Sequence, residues 1–264
     1  MHFLYPADML KPRLPDELFR EEANAMQAAG HLVSLVDMET FAVSLKTAET
    51  PAGQASKVVY RGWMLKPAEF QRLLESVEQQ GAKACTSREQ YLATHYLPNW
   101  YPLLADLTPK TVILDPMVDL VPILKQLGWE RFFIKDYVKS LKTAGGSVID
   151  QPEEIGRVMT EMKKYRGEIE GGLCVRRYEE FEPNSEIRFF VLGGVCYGSD
   201  MHSAIPPLVQ ECARRLSSPF FSVDVATRTD GRERIVEVGD GQVSDLVGWT
   251  VDRFASLWSE ATLP

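Results

Sequence analysis

Long apolar runs are missing from this chain: none of its 264 residues falls in a stretch approaching the ~18 apolar residues that a membrane helix requires. The N-terminal segment MHFLYPADMLKPRLPDELF has no basic region followed by a long apolar one, so no secretion signal is expected. Cysteine is scarce. Cys85, Cys174, Cys196 and Cys212 are scattered without a CxxC pair, which fits neither a zinc knuckle nor a disulfide framework and leaves reduced, buried thiols as the expectation. His2, His31, His95 and His202 stand too far apart to suggest a zinc cluster. Positive charge is in deficit, with a net charge of -8, which argues against general nucleic-acid or anionic-membrane binding but leaves room for a local basic pocket. Neither GxxxxGK[ST] nor GxGxxG occurs, so a P-loop and a dinucleotide fingerprint are both excluded. The expected compartment is the cytoplasm.

What remains is the composition of a folded protein: 45% hydrophobic and 25% charged, with length enough for one large domain or two modest ones. The first hundred or so residues alternate strand-like and helix-like patterns. MHFLY, HLVSLV and KVVYRGWM read as strands, and residues 15–29 read as a helix opened by Pro15 and Asp16 and stopped by Gly30. Between Lys66 and Gln80, Phe70, Leu73, Leu74 and Val77 form one helical face, and Gly81 ends it. Such alternation predicts a small, mostly parallel sheet with helices packed on it. Residues 91–109, rich in aromatics and proline, read as a packed crossing between domains. Strands dominate beyond it: TVILD and RFFIKDYV around the helix VDLVPILKQLG, then GGLCVRRYEEF, EIRFFVLGGVCYG, FFSVDVATR and RERIVEVG, with a last helix over 247–261. The expected fold class is an α/β front domain, residues 1–106, followed by an α+β domain with antiparallel sheets, residues 107–264.

Three constellations carry chemistry. In FFSVDVATRTDGRERIVEVGDGQVSDL, Asp230-Gly231 between two alternating runs predicts a two-residue hairpin turn. Pairing Thr229 with Arg232 then sets Asp224 opposite Glu237, with Val225 against Val236 and Val223 against Val238 on the other face. Opposed carboxylates repel, so the pair calls for a cation, and hard oxygen ligands suit Mg²⁺. The plainer alternative is a solvated hairpin whose acids pair with Arg228, Arg232 or Arg234, and a longer turn would break the register. Second, Lys135 lies among Phe132, Phe133 and Ile134, with Lys139, Lys142 and Gly145-Gly146 following; a buried ammonium beside a glycine loop suits phosphate, although a lysine at a sheet margin is the simpler reading. Third, Arg188 sits in an apolar strand where an unpaired charge is costly, so it needs an anion, either a ligand or a structural acid such as Glu186. Arg176, Arg177 and Glu179 flank Tyr178 where the halves of the C-terminal region would meet.

In this order and spacing the elements resemble the ATP-grasp superfamily over roughly residues 107–264. The resemblance implies ATP and Mg²⁺ as cofactors. It implies Lys135, with Lys139 nearby, at the α- and β-phosphates and Gly145 and Gly146 in a phosphate-covering flap. VRRYEEF looks like the interdomain hinge near 175–181, with backbone groups of Arg177 and Tyr178 at the adenine and Glu179 or Glu180 at the ribose. Arg188 corresponds to an arginine at the reacting phosphate and acyl group, and Asp224 and Glu237 to the two metal-binding acids. Where the family reads Glu-x-Asn, this chain has Gly239, which makes Asp240 the candidate third metal ligand. The lysine many members carry ahead of the central domain has no clear counterpart. GDGQVSDL and YRGWM are most similar to a branch of amide-bond ligases from bacteria and phages.

The activity implied is ATP-dependent joining of a carboxylate to an amine through an acyl phosphate, with catalysis by Lys135 and Arg188 and a contact from Arg61 in YRGWM to the substrate carboxylate. An arginine that simply caps a strand end is the alternative for Arg61. A kinase acting on a hydroxyl and a nucleotide-binding module without catalysis are the competing functions, since either would keep the same ATP site.

Overall fold

The structure is a computed structural model, and it describes residues 1–46, 56–141, 146–202 and 204–260. The chain begins with β1 (His2–Pro6), a short 3-10 turn capped by the Asp16 carboxylate, α1 (Arg20–Ala28), β2 (Leu32–Val36), β3 (Val43–Ser44) and β4 (Lys57–Tyr60). It continues through α2 (Pro67–Gln79), β5 (Lys83–Ala84) and α3 (Arg88–His95). The strands form one sheet in the order β3-β2-β1-β4-β5. Pairings of β1 with β2, β1 with β4 and β4 with β5 are parallel, whereas β3 runs antiparallel to β2. This is the sheet that the alternating pattern predicts. Phe70, Leu73 and Val77 of α2 are buried as their spacing requires, and Gly81 follows with φ of 73°.

The aromatic segment expected as a crossing is helical: α3 leads to α4 (Leu97–Leu104), where Pro98 occupies the first turn and Pro102 the interior. Then come β6 (Thr111–Leu114), α5 (Leu120–Leu127), β7 (Phe132–Asp136), β8 (Val148–Ile149), α6 (Ile155–Arg166) and β9 (Leu173–Arg177). Asp119 caps α5 by accepting from the Val121 amide, and Gly128 ends it in the left-handed region at φ 62°. The second sheet has the order β6-β9-β7-β8; β9 runs antiparallel to both β6 and β7, and β8 antiparallel to β7. Its register puts Thr111, Arg176 and Phe133 on one face, with Cys174 beside Lys135. The opposite face carries Leu173, Val175, Phe132 and Ile134, buried with Leu120 and Leu124 of α5. Helix α6, which interrupts the run of expected strands, adds Ile155, Val158 and Met162 to that apolar layer.

The last elements are β10 (Ile187–Leu192), β11 (Val195–Tyr197), α7 (Pro207–Arg215), β12 (Phe220–Thr227), β13 (Glu233–Asp240) and α8 (Val251–Glu260), and the strands lie in the order β11-β10-β12-β13. Gly193 and Gly194 turn β10 into β11 at φ of 59° and 82°. The Asp230-Gly231 turn differs from expectation. The Gly231 amide bonds to the Arg228 carbonyl at 2.8 Å, the Arg228 amide to the Arg232 carbonyl at 2.8 Å, and Gly231 has φ of 82°. This is the loop of three residues in which a turn closes on a left-handed glycine, and it pairs Arg228, not Thr229, with Arg232. That offset holds beside the turn; at the far end of the hairpin Ser222 Oγ would lie 3.1 Å from a Cβ on Gly239, so those two residues share a face, as the expected register has them.

The chain divides into two compact units: residues 1–94, 187–223 and 239–264 form the first, and residues 95–186 and 224–238 the second. The sequence-based cut at residue 106 follows the chain, whereas contacts assign the later segments to the two units in alternation. In the first unit, α1 and α8 share a core in which Phe254 and Trp258 meet Phe3, Phe190, Phe220 and Met26. Trp258 stands edge-on to Phe220 at 4.8 Å and to Phe3 at 4.9 Å. Among the described residues no helix is long and apolar enough to cross a membrane. Phe254→Ala is expected to cost about 3–5 kcal/mol of unfolding free energy in urea denaturation. A loss under ~1 kcal/mol would contradict the placement of this ring at the centre of the core.

Candidate nucleotide site

In the second unit β7 carries Lys135 into a buried position, 3% exposed, while Phe132 and Ile134 of the same strand pack into the apolar layer below. Its Nζ lies 3.7 Å from Oε1 of Glu237, which is half-exposed at the side of β13. Arg176 on β9 is buried on the same face, 4% exposed, and donates to the Val236 carbonyl and, at 3.0 Å, to Thr108 Oγ1. Burial lowers its guanidinium to about 10, partly offset by the charge of Glu237. His95, buried at the end of α3, is pushed down to about 3, first by desolvation and then by the charges of Lys139 and Lys135. It is therefore neutral at pH 7. Two buried cations thus share a face, with the Glu237 carboxylate in ion-pair reach of one of them, an arrangement that suits an anionic ligand.

The loop that follows β7 is anchored at both ends. Buried Asp136 accepts from the Val138 and Lys139 amides at 2.8 and 2.7 Å and pairs with Arg166 at 2.5 Å. At the far end Ser147 Oγ accepts from the Leu141 amide at 2.7 Å, and its carbonyl takes the Ile134 amide at 2.7 Å. Lys139 is exposed, and Gly146 has φ of 61°. Gly145 and Lys142 lie outside the described residues.

The hinge segment is more occupied than expected. The Arg177 and Tyr178 amides donate to the carbonyls of Lys110 and Arg131, at 2.7 and 3.1 Å. Arg131 stacks on the Tyr178 ring at 4.1 Å. Glu179 pairs with Arg234 at 3.1 Å and Arg228 at 3.5 Å. Glu180 is exposed.

Asp224 is buried, 2% exposed. Among the described residues no three His, Cys, Asp or Glu side chains gather as a metal site. Asp240 has a different use from the one expected. Fully buried, it accepts from the Gln242 amide and Nε2, both at 3.0 Å, and from Thr94 Oγ1 at 3.3 Å, capping the turn at 241–243. Burial pushes its carboxyl up to about 7. A side chain at Gly239 would crowd two hydroxyls: a Cβ there would stand 2.9 Å from Ser244 Oγ and 3.1 Å from Ser222 Oγ.

In the first unit Arg188 donates to the Asp245 carbonyl at 2.8 Å, and its own carbonyl accepts from Trp249 Nε1 at 3.0 Å. Arg61, expected at the substrate, is engaged within the protein. It is 2% exposed, forks onto both oxygens of Glu22 at 2.7 Å, donates to the Gly241 and Ser244 carbonyls, and lies over Phe254 at 4.6 Å. The pairing with Glu22 is invisible in the sequence because the two residues sit in separate elements. The hint available is Arg61 standing at the end of an apolar strand. Arg176 stands out in the sequence only as a neighbour of Tyr178; its alternation with Cys174 along β9, facing Lys135, is the signal that could have found it.

Residues 99–260 match a family model described as an ATP-grasp domain, the third family of its clade. No curated protein matches the chain by sequence. Among solved structures it is similar to the D-cycloserine synthetase DcsG, at 14% identity and TM-score 0.64 over 98% of this chain and 99% of that one. A RimK domain ATP-grasp protein from Sphaerobacter thermophilus gives 16% identity and TM-score 0.62, over 97% and 98%. The ATP-grasp ligase PsnB, solved with a minimal precursor, gives 13% and 0.59, over 97% of each chain. At such identities the likeness shows the fold.

Two expectations follow. Arg61→Met strands Glu22 as an uncompensated buried charge and should cost ~3–5 kcal/mol in denaturant unfolding; an unchanged midpoint would return Arg61 to the pool of ligand contacts. Asp240 has a folded pKa raised to about 7 from 3.8, so its stabilisation is complete at low pH and is lost as pH rises between those values. The stability of Asp240→Asn minus that of the parent should therefore grow from pH 4 to 7, by up to ~1.4 kcal/mol per pH unit, and then level off. A difference independent of pH would show that Asp240 titrates normally.

Proposed function

The chain belongs to the ATP-grasp domain family that its residues 99–260 match; from that premise we propose that it is an ATP-dependent ligase that joins a carboxylate to an amine through an acyl phosphate, at a Mg-ATP site on the Lys135 face. The observation that carries this reading is the buried pair of cations, Lys135 and Arg176, on the face where Glu237 lies. Lys135 and Arg176 would take the phosphate charge, with Lys139 and the Gly146 end of the loop beside them. His95, kept neutral, adds no charge of its own.

Asp224 and Glu237 are the acids that would hold Mg²⁺, which supplies neutralisation of the phosphate oxygens when bound. A substrate carboxylate oxygen then attacks the γ-phosphorus and ADP leaves. The amine nitrogen attacks the acyl carbon, inorganic phosphate leaves, and the nitrogen gives up a proton. No side chain acts as a covalent nucleophile, so catalysis rests on alignment and charge neutralisation.

DcsG is named for a small molecule and PsnB was solved with a precursor peptide, so a screen should offer carboxylates and amines of both kinds. The test uses ¹⁸O-labelled carboxylates and follows ADP release and the label in phosphate. Ligation predicts ADP release that requires both partners, with one ¹⁸O delivered to inorganic phosphate. Phosphate retained on a hydroxyl product, with no need of an amine, would establish a kinase instead.

A further inference from the structure

Arg176 is expensive to keep. Its guanidinium is buried between Thr111 and Phe133 in the sheet register and over Trp100 at 5.6 Å. Among the described residues it meets no carboxylate at ion-pair distance; its acceptors are neutral, and Nε has none. An apolar side chain would fill the same space without that desolvation cost, so packing does not explain an arginine here.

Its bonds go to one place. One terminal nitrogen holds the carbonyl of Val236, and the other holds Thr108 Oγ1. That hydroxyl donates to the carbonyl of Ile235 at 2.7 Å, and the Ile235 amide donates to the Leu107 carbonyl at 2.9 Å. Arg234 in turn bonds the carbonyls of Asp106 and Thr108. Residues 234, 235 and 236 are thus stitched to 106–108 and to β9 in succession. The next residue is Glu237, the carboxylate 3.7 Å from Lys135.

We propose that Arg176 is a positioning residue for Glu237: by holding the Val236 carbonyl it fixes the backbone from which that carboxylate reaches the divalent cation of the nucleotide. Its charge, left without an acid, keeps the face receptive to phosphate. The inference rests on the Mg-nucleotide reading above.

The experiment measures ATP affinity of the parent chain, Arg176→Met, Arg176→Lys and Thr108→Val, each across a Mg²⁺ titration and in EDTA, beside thermal unfolding. Losing a group that orients a metal ligand typically costs about 10–100-fold in metal affinity, so Arg176→Met should raise the Mg²⁺ needed for half-maximal ATP binding by about tenfold or more. ATP binding in EDTA should fall less, and Arg176→Lys should recover only part of the Mg²⁺ effect, because an ammonium lacks the fork that holds two acceptors. Thr108→Val, which keeps Arg176, should shift the Mg²⁺ requirement in the same direction, and it carries the test if Arg176→Met does not fold. Folded variants whose Mg²⁺ requirement matches the parent would overturn the inference while leaving the site intact. A parent chain that binds no nucleotide at any Mg²⁺ concentration would overturn the underlying reading, and this one with it.

Discussion

A lysine ammonium buried in a sheet is the constraint around which the second unit is arranged. Lys135 is held in place by the apolar layer beneath β7, so its charge must be balanced on the upper face. Glu237 lies at 3.7 Å, Arg176 adds a second buried cation, and His95 is kept neutral by burial and by the lysines themselves. A face built only for stability would pair each charge closely or replace it with an apolar group. Incomplete compensation in a buried setting is what a phosphate-binding surface requires before its ligand arrives.

Arginines bonded to backbone carbonyls recur in both units as a means of holding chain. In the second unit Arg176 and Arg234 hold the residues leading to Glu237. In the first, Arg61 holds Gly241 and Ser244 while Glu22 absorbs its charge, and Arg188 holds Asp245. The contrast between Arg61 and Arg176 is informative. One is neutralised by a bidentate carboxylate and serves as structure; the other is given neutral acceptors only and sits beside the candidate site.

The parts legible in the sequence are those set by local periodicity. The parallel sheet of the front segment, the face of α2, the strand bearing Lys135 and the family resemblance can all be read from spacing and order. The misreadings come from contacts between distant segments and from one turn. Asp230-Gly231 suits a two-residue hairpin, yet Gly231 takes the left-handed position of a three-residue loop, and that single residue changes the pairing beside the turn. Asp240 and Arg61 look like ligands in isolation; their partners Thr94, Gln242 and Glu22 make them structural. Glu179 likewise has partners, Arg228 and Arg234, that local sequence does not reveal.

The central claim is that the Lys135 face takes a Mg-nucleotide, and calorimetric titration of ATP into the parent chain and Glu237→Gln, with and without Mg²⁺, tests it most directly. The account predicts saturable binding that strengthens with Mg²⁺ in the parent and loses that dependence in Glu237→Gln. Absence of binding in every condition, or a Mg²⁺ response identical in the two proteins, would contradict it.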